Sequence, residues 1–213
     1  MKTDFLPRSA LKISALSLAI AAASLGSTTA MAAECQLNNA ANTTSTLGAT
    51  SNGNTALACG NTATAGGTND TVAIGNTANA GANSTTAVGG QANAAGLGST
   101  SIGWQSKATA ERAQAFGHLA NASGVRSTAV GEAAAAQGAN SVALGNKSMA
   151  GGMNSIAIGN GAMAAKTNQV VLGSAGQVQS STAAQSGTVR IVTIDDNGTL
   201  GTMMVDYYKK SAK

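Results

Sequence analysis

The residue types that do chemistry are scarce in this 213-residue chain, which holds one histidine, two cysteines and eight acidic residues. His118 has neither a second candidate ligand nor a nucleophile at a useful spacing, so it reads as a surface or stacking residue rather than a metal ligand or a catalyst. Calcium-binding solenoids place Asp at regular turn positions, and between Gly60 and Gly173 only Asp70 is present. The many glycines form no phosphate cradle, because no strand leads into a helix around them. No cofactor, no metal and no enzymatic activity are therefore expected. The cysteines suit a different chemistry. Cys35 and Cys59 are an even pair beyond a secretory leader, and a disulfide between them is expected to tie down the N-terminal end. One further cluster could bind rather than react. Five of the eight charged residues between Gly60 and Gly173 (Lys107, Glu111, Arg112, Arg126 and Glu132) fall in the stretch that opens with Trp104, the only tryptophan. Aromatic and Arg side chains carry much binding energy at interfaces, so Trp104, Lys107, Arg112, His118, Arg126 and Glu132 form a candidate ligand surface.

The elements that must position these residues are built from very small side chains. The chain has 46 Ala and 27 Gly, with 2% aromatic and 9% charged residues, so it cannot pack an ordinary core. Its mean hydropathy of +0.07 is mostly alanine. Lys2, Arg8 and Lys12, the apolar run Ile13 to Leu25, and Ala30-Met31-Ala32 make a secretory signal with cleavage after Ala32 or Ala33. Glu34 directly before Cys35 disfavours a lipoprotein signal. Past the leader no run reaches the roughly 18 apolar residues of a membrane span. Nine basic and seven acidic residues remain there, a net +2, too sparse for a nucleic-acid stripe despite the sequence pI of about 9.3.

Periodicity is the strongest signal. Ala73-Ile74-Gly75, Ala87-Val88-Gly89, Ser101-Ile102-Gly103, Ala115-Phe116-Gly117, Ala129-Val130-Gly131, Ala143-Leu144-Gly145, Ala157-Ile158-Gly159 and Val171-Leu172-Gly173 recur every 14 residues. Pairs such as Val142/Leu144 and Ile156/Ile158, separated by one small residue, alternate as a strand does. After Gly a polar residue, often Asn (Asn61, Asn76, Asn146, Asn160), is expected to make a turn through its tolerance of positive φ. Small residues three and five positions after Gly, as in Ala78/Ala80 and Ala120/Ala122, predict a second strand, and a second turn closes the unit. Fourteen residues thus make one flat coil of an all-β parallel solenoid. Only Ala, Ser and Gly fit inside, so larger side chains must point outward. Nine coils stacked at about 4.8 Å make a rod of about 43 Å. One outer face then carries Cys59, Ile74, Val88, Ile102, Phe116, Val130, Leu144, Ile158 and Leu172. Burying that stripe contributes on the order of 18 kcal/mol per chain before association costs, so self-association is expected through Ile74 to Leu172.

Asn140-Ser141-Val142-Ala143-Leu144-Gly145 and Asn154-Ser155-Ile156-Ala157-Ile158-Gly159, at a 14-residue period with small-residue second strands, resemble the head repeats of YadA-like trimeric autotransporter adhesins. The resemblance spans about Gly60 to Gly173. It implies a left-handed parallel β-roll, a homotrimer packed on the apolar strands, an outer face that binds collagen or other matrix proteins, and a Gram-negative cell surface. Departures from the family pattern follow Gly173, where no neck, heptad stalk or barrel anchor is evident. The expected organisation is a signal peptide (1–33), an N-terminal cap (34–59), head repeats (60–173), a linker (174–187) and a C-terminal hairpin with a basic tail (188–213).

The hairpin is expected from the strand formers Val189, Ile191 and Val192, the Asp195-Asp196-Asn197-Gly198 turn, and Thr199 to Val205. Met149 and Met163 occupy one position on consecutive coils with Met153 in the turn between them. Together with Val189 and Ile191 they form a candidate end contact, in which the hairpin covers the last coils or those of a neighbouring chain. The resulting function is an adhesin-like head, with a structural fibre subunit as the alternative. Ice binding is the remote third reading, since the regularity of the second-strand face (Thr62/Thr64, Thr77/Asn79, Gln91/Asn93) fails after a few coils.

Overall fold

The computed structural model describes residues 33–34, 37–38, 44–45, 48–53, 55–174, 177, 180, 185–186 and 190–203. The expected leader, apart from Ala33, lies outside the described residues, as do Cys35, Val189 and most of the linker.

Small side chains at alternate positions let the chain wind as an all-β parallel solenoid of about nine turns. Each coil gives a three-residue strand such as Val72–Ile74 to a ten-stranded sheet, and a two-residue strand such as Asn79–Ala80 to a nine-stranded sheet. Registers advance by 14 residues from rung to rung, with Thr100 opposite Gln114, Ser101 opposite Ala115 and Ile102 opposite Phe116. Between the sheets the interior is mostly alanine, with serine and threonine making up the rest: Ala73, Ala87, Ala115, Ala129, Ala143 and Ala157 of the first strands are fully buried, as are Ala78, Ala80, Ala120 and Ala122. The largest fully buried side chains are threonines and serines, led by Thr71 and Thr85. The alanine content is therefore a spacing requirement, since a wider residue would push the two sheets apart.

The turns differ from the sequence expectation in one respect. Left-handed backbone falls on the repeat glycine and on the residue two after it (Thr77 at φ 53°, Gln105 at 53°, Leu119 at 58°), not on the intervening Asn. Ala78 N–H donates to the Gly75 carbonyl at 3.3 Å, so positive φ sits at the third residue of a four-residue turn, as in type II. Asn at the second position needs no positive φ. The repeat glycine is fixed twice over. Gly117 has φ +134°, and a Cβ there would stand 2.5 Å from the Gly131 carbonyl oxygen of the next coil. Turn backbones also bond between rungs, as Gln105 N–H does to the Gly90 carbonyl at 2.9 Å, so the period is locked at the edges as well as in the sheets.

The two ends differ. At the N-terminus Ala33–Glu34 joins the ten-stranded sheet beside Leu57 and Ala58, and Leu37–Asn38 pairs antiparallel with Thr44–Ser45. At the C-terminus Ile191–Ile194 and Leu200–Met203 form the expected hairpin, Ile194 opposite Leu200. The Asp195 carboxylate accepts from the backbone N–H of Asn197 and Thr199, and Gly198 takes the left-handed position at φ 80°. The expectation is that this hairpin covers the last coils or those of a neighbouring chain. It is a two-stranded sheet of its own, and Met149, Met153 and Met163 remain exposed. The hairpin strands satisfy each other's inner hydrogen bonds, so neither needs the solenoid edge as a partner. Ile191 opens its first strand, opposite Met203.

Candidate ligand surface

Four surfaces of the coil present side chains. On the ten-stranded sheet Ile74, Val88, Ile102, Phe116, Val130, Leu144, Ile158 and Leu172 succeed one another as direct rung partners, continuing from Cys59. Ile74, Ile102, Leu144, Ile158 and Leu172 are between 37% and 59% exposed, and Val88, Phe116 and Val130 are half-buried. On the nine-stranded sheet the outward row is Thr64, Asn79, Asn93, Lys107, Asn121, Ala135, Met149 and Met163, and the Asn79 amide donates to Asn93 at 3.2 Å.

The remaining two surfaces are the turn edges, and they divide the expected ligand cluster. Trp104, His118 and Glu132 follow the repeat glycine on successive coils and form one continuous ladder. The indole and imidazole rings stack with centroids 5.0 Å apart at 15°. His118 Nδ1 lies 3.7 Å from Glu132 Oε1, and Asn146 donates to Glu132 Oε2 at 2.9 Å. On the next rung the other way stands Gly90, where a Cβ would meet the indole at 3.1 Å, so its missing side chain makes room for Trp104. Trp104 remains 47% exposed. Arg112 and Arg126 occupy the opposite turn, and Lys107 lies on the strand between the two edges. The six residues therefore make two edges joined by one lysine rather than a single patch.

Sequence reasoning did not single out the amide ladders. Asn140 donates to Asn154 and Asn154 to Asn168, at 3.2 and 3.0 Å, along the Arg112/Arg126 edge, and Gln105 donates to Gln91 at 2.6 Å beside Trp104. Identical amides at a spacing of 14 were the available signal. Among the described residues no group of three His, Cys, Asp or Glu side chains could hold a metal ion. Cys59 ends its strand half-buried; its expected disulfide partner, Cys35, lies outside the described residues.

With this geometry the family comparison can be placed rung by rung. The YadA head domain repeat, two copies long, matches residues 80–106, 94–120, 108–134, 122–148 and 136–162. Residues 80–162 are thus similar to a YadA head domain. Successive matches advance by the same 14 residues that separate rung partners, so each spans two coils of the solenoid. The matched residues include both edges of the split cluster, from Trp104 to Glu132, and the YadA head is a domain of an adhesin family. No curated protein matches the chain significantly.

Proposed function

We propose that the chain is secreted and acts outside a Gram-negative cell or on its surface as an adhesive head. In this reading three copies pack around the Ile74 to Leu172 stripe and present the second sheet and both edges to collagen or another matrix protein. The observation that carries it is the unbroken apolar row on a solvated face of a YadA-like head, since no segment among the described residues covers that row. Among the described residues no helix is long and apolar enough to cross a membrane. The test is the mass of the processed protein in solution, followed by its binding to immobilised collagen. A trimer with saturable binding is expected. A monomer at micromolar concentration, or a trimer that ignores every matrix protein offered, would sink the reading.

Cys35 and Cys59 are proposed as the disulfide of the N-terminal cap. The residues that precede them in sequence, Glu34 and Ala58, are rung partners, which supports the pairing. Thiol titration of the unfolded, unreduced chain should find no reactive group, and two per chain would refute the bridge. A fibre reading has one observation in its favour. The hairpin exposes Val192, Ile194 and Leu200, and the last strands of the solenoid, Met163–Ala164 and Val170–Leu172, end their sheets with no further strand beside them among the described residues. Filaments in electron micrographs of the purified protein would favour it, and their absence at high concentration would count against it.

A further inference from the structure

The edge opposite Trp104 holds two side chains that the fold does not ask for. Its left-handed position recurs once per coil as Asp70, Ser84, Gly98, Arg112, Arg126, Asn140, Asn154 and Asn168. Six of these eight are Gly, Asn, Asp or Ser, small or turn-forming residues that suit such a position, and the three asparagines bond to one another in a ladder. Arg112 and Arg126 depart from that pattern, at φ 54° and 56°. They also stand on adjacent rungs about 4.8 Å apart, where like charges repel. Among the described residues only Glu111 offsets either cost. Arg112 meets only Glu111, at 3.4 Å with both side chains about half exposed or more, and Arg126 has no ion-pair partner among the described residues. Two like charges on neighbouring coils, with no anionic partner beyond Glu111 among the described residues, mark a site whose partner is external.

We infer that Arg112 and Arg126 form an anion-binding pair for an acidic polysaccharide. Two guanidinium groups one rung apart can each bond a sulfate or carboxylate through paired N–H donors. The same turn exposes Leu97 and Val125, apolar side chains against which the C–H face of a pyranose ring can lie. Lys107 on the adjoining strand extends the cationic track. A lone small anion would gain little from so exposed a pair, whereas a polymer collects the gain from many copies at once. Nucleic acid is disfavoured because the rings that would stack on its bases, Trp104 and His118, lie on the opposite edge. The inference deepens the adhesive reading by naming a ligand class, and it does not need the trimer, because both arginines belong to one chain.

The experiment measures binding of the full processed chain to immobilised heparin at low ionic strength, alongside its solution mass. Arg112→Asn with Arg126→Asn places there the residue native to the same row at Asn140, Asn154 and Asn168. It should weaken heparin binding about tenfold or more while leaving the melting temperature unchanged or higher. Lys147→Asn with Lys166→Asn removes equal charge elsewhere and should cost no more than about twofold. Glu111→Gln removes the competing carboxylate and should tighten binding. The inference is overturned by unchanged heparin affinity in the arginine variant, by an equal loss in the lysine variant, by a lower melting temperature in the arginine variant, or by duplex DNA competing as well as soluble heparin. A monomer that still binds heparin through the pair would overturn the trimer and leave this site standing.

Discussion

The two sheets of the coil share one backbone, one rung spacing and one alanine interior, yet their outward rows have diverged. On the ten-stranded sheet every rung from Ile74 to Leu172 carries Ile, Val, Leu or Phe, while on the nine-stranded sheet the row runs Thr, Asn, Asn, Lys, Asn, Ala, Met, Met. Folding imposes the same demands on both, because the constraints lie inside and at the turns. The packing of three copies proposed above would keep the first row apolar. The other row and the two edges are free to change, and those are the surfaces that hold Trp104, His118 and the charged residues between Gly60 and Gly173.

The shared constraint is where the largest effect is expected. Gly117→Ala forces a Cβ to 2.5 Å from the Gly131 carbonyl oxygen at a φ of +134°, so neither the backbone nor its neighbour can yield cheaply. A loss of more than about 3 kcal/mol is expected, read as a large drop in denaturation midpoint. Coupling in a solenoid runs between nearest neighbours, so protection against hydrogen exchange should fall first in the coils flanking residue 117. A variant that melts like the parent would show that close turn stacking does not set the register.

Legibility in the sequence follows the same division. The period, both strands and the inward alanines could be read because the interior admits so few residue types that each coil repeats them. The position of the left-handed residue could not. Leu119 and Lys147 occupy it, and neither advertises positive φ in the way Asn or Gly does. The stacking of Trp104 on His118 followed from their 14-residue spacing. The separation of both from Arg112 and Arg126 required knowing that nine residues after the repeat glycine lies the far turn of a flat coil. The hairpin was legible from its Asp-Asp-Asn-Gly turn, but its contacts were not, since its strands satisfy each other.

A smaller effect on stability, and a larger one on association, should separate the two faces. Val130→Lys with Leu144→Lys puts two charges in the apolar row, and Asn121→Lys with Ala135→Lys puts two in the other. Neither pair enters the interior, so each should change the unfolding free energy of a single chain by less than about 1 kcal/mol. The first should remove about 4 kcal/mol of buried apolar surface per chain from the assembly and add buried charge, shifting the mass to monomer. The second should leave the mass unchanged. Equal masses for the two variants would mean that the faces differ in composition alone.

The smallest effect lies between the sheets. Ser99, Ser127 and Ser141 have buried hydroxyl oxygens with no hydrogen-bond partner among the described residues, whereas Ser155 in the same row donates to the Gly152 carbonyl at 2.6 Å. Ala113 occupies that row naturally and is fully buried, so alanine fits there. A buried hydroxyl without a partner costs more than the methyl that replaces it, while a bonded one contributes about 1 kcal/mol. Ser127→Ala with Ser141→Ala should therefore raise the unfolding free energy slightly, by up to about 1 kcal/mol, and Ser155→Ala should lower it by about as much. Urea midpoints of the two variants should move in opposite directions. If the double variant instead loses stability, an ordered water or a rotated hydroxyl satisfies those serines, and the interior tolerates polarity as the outer rows do.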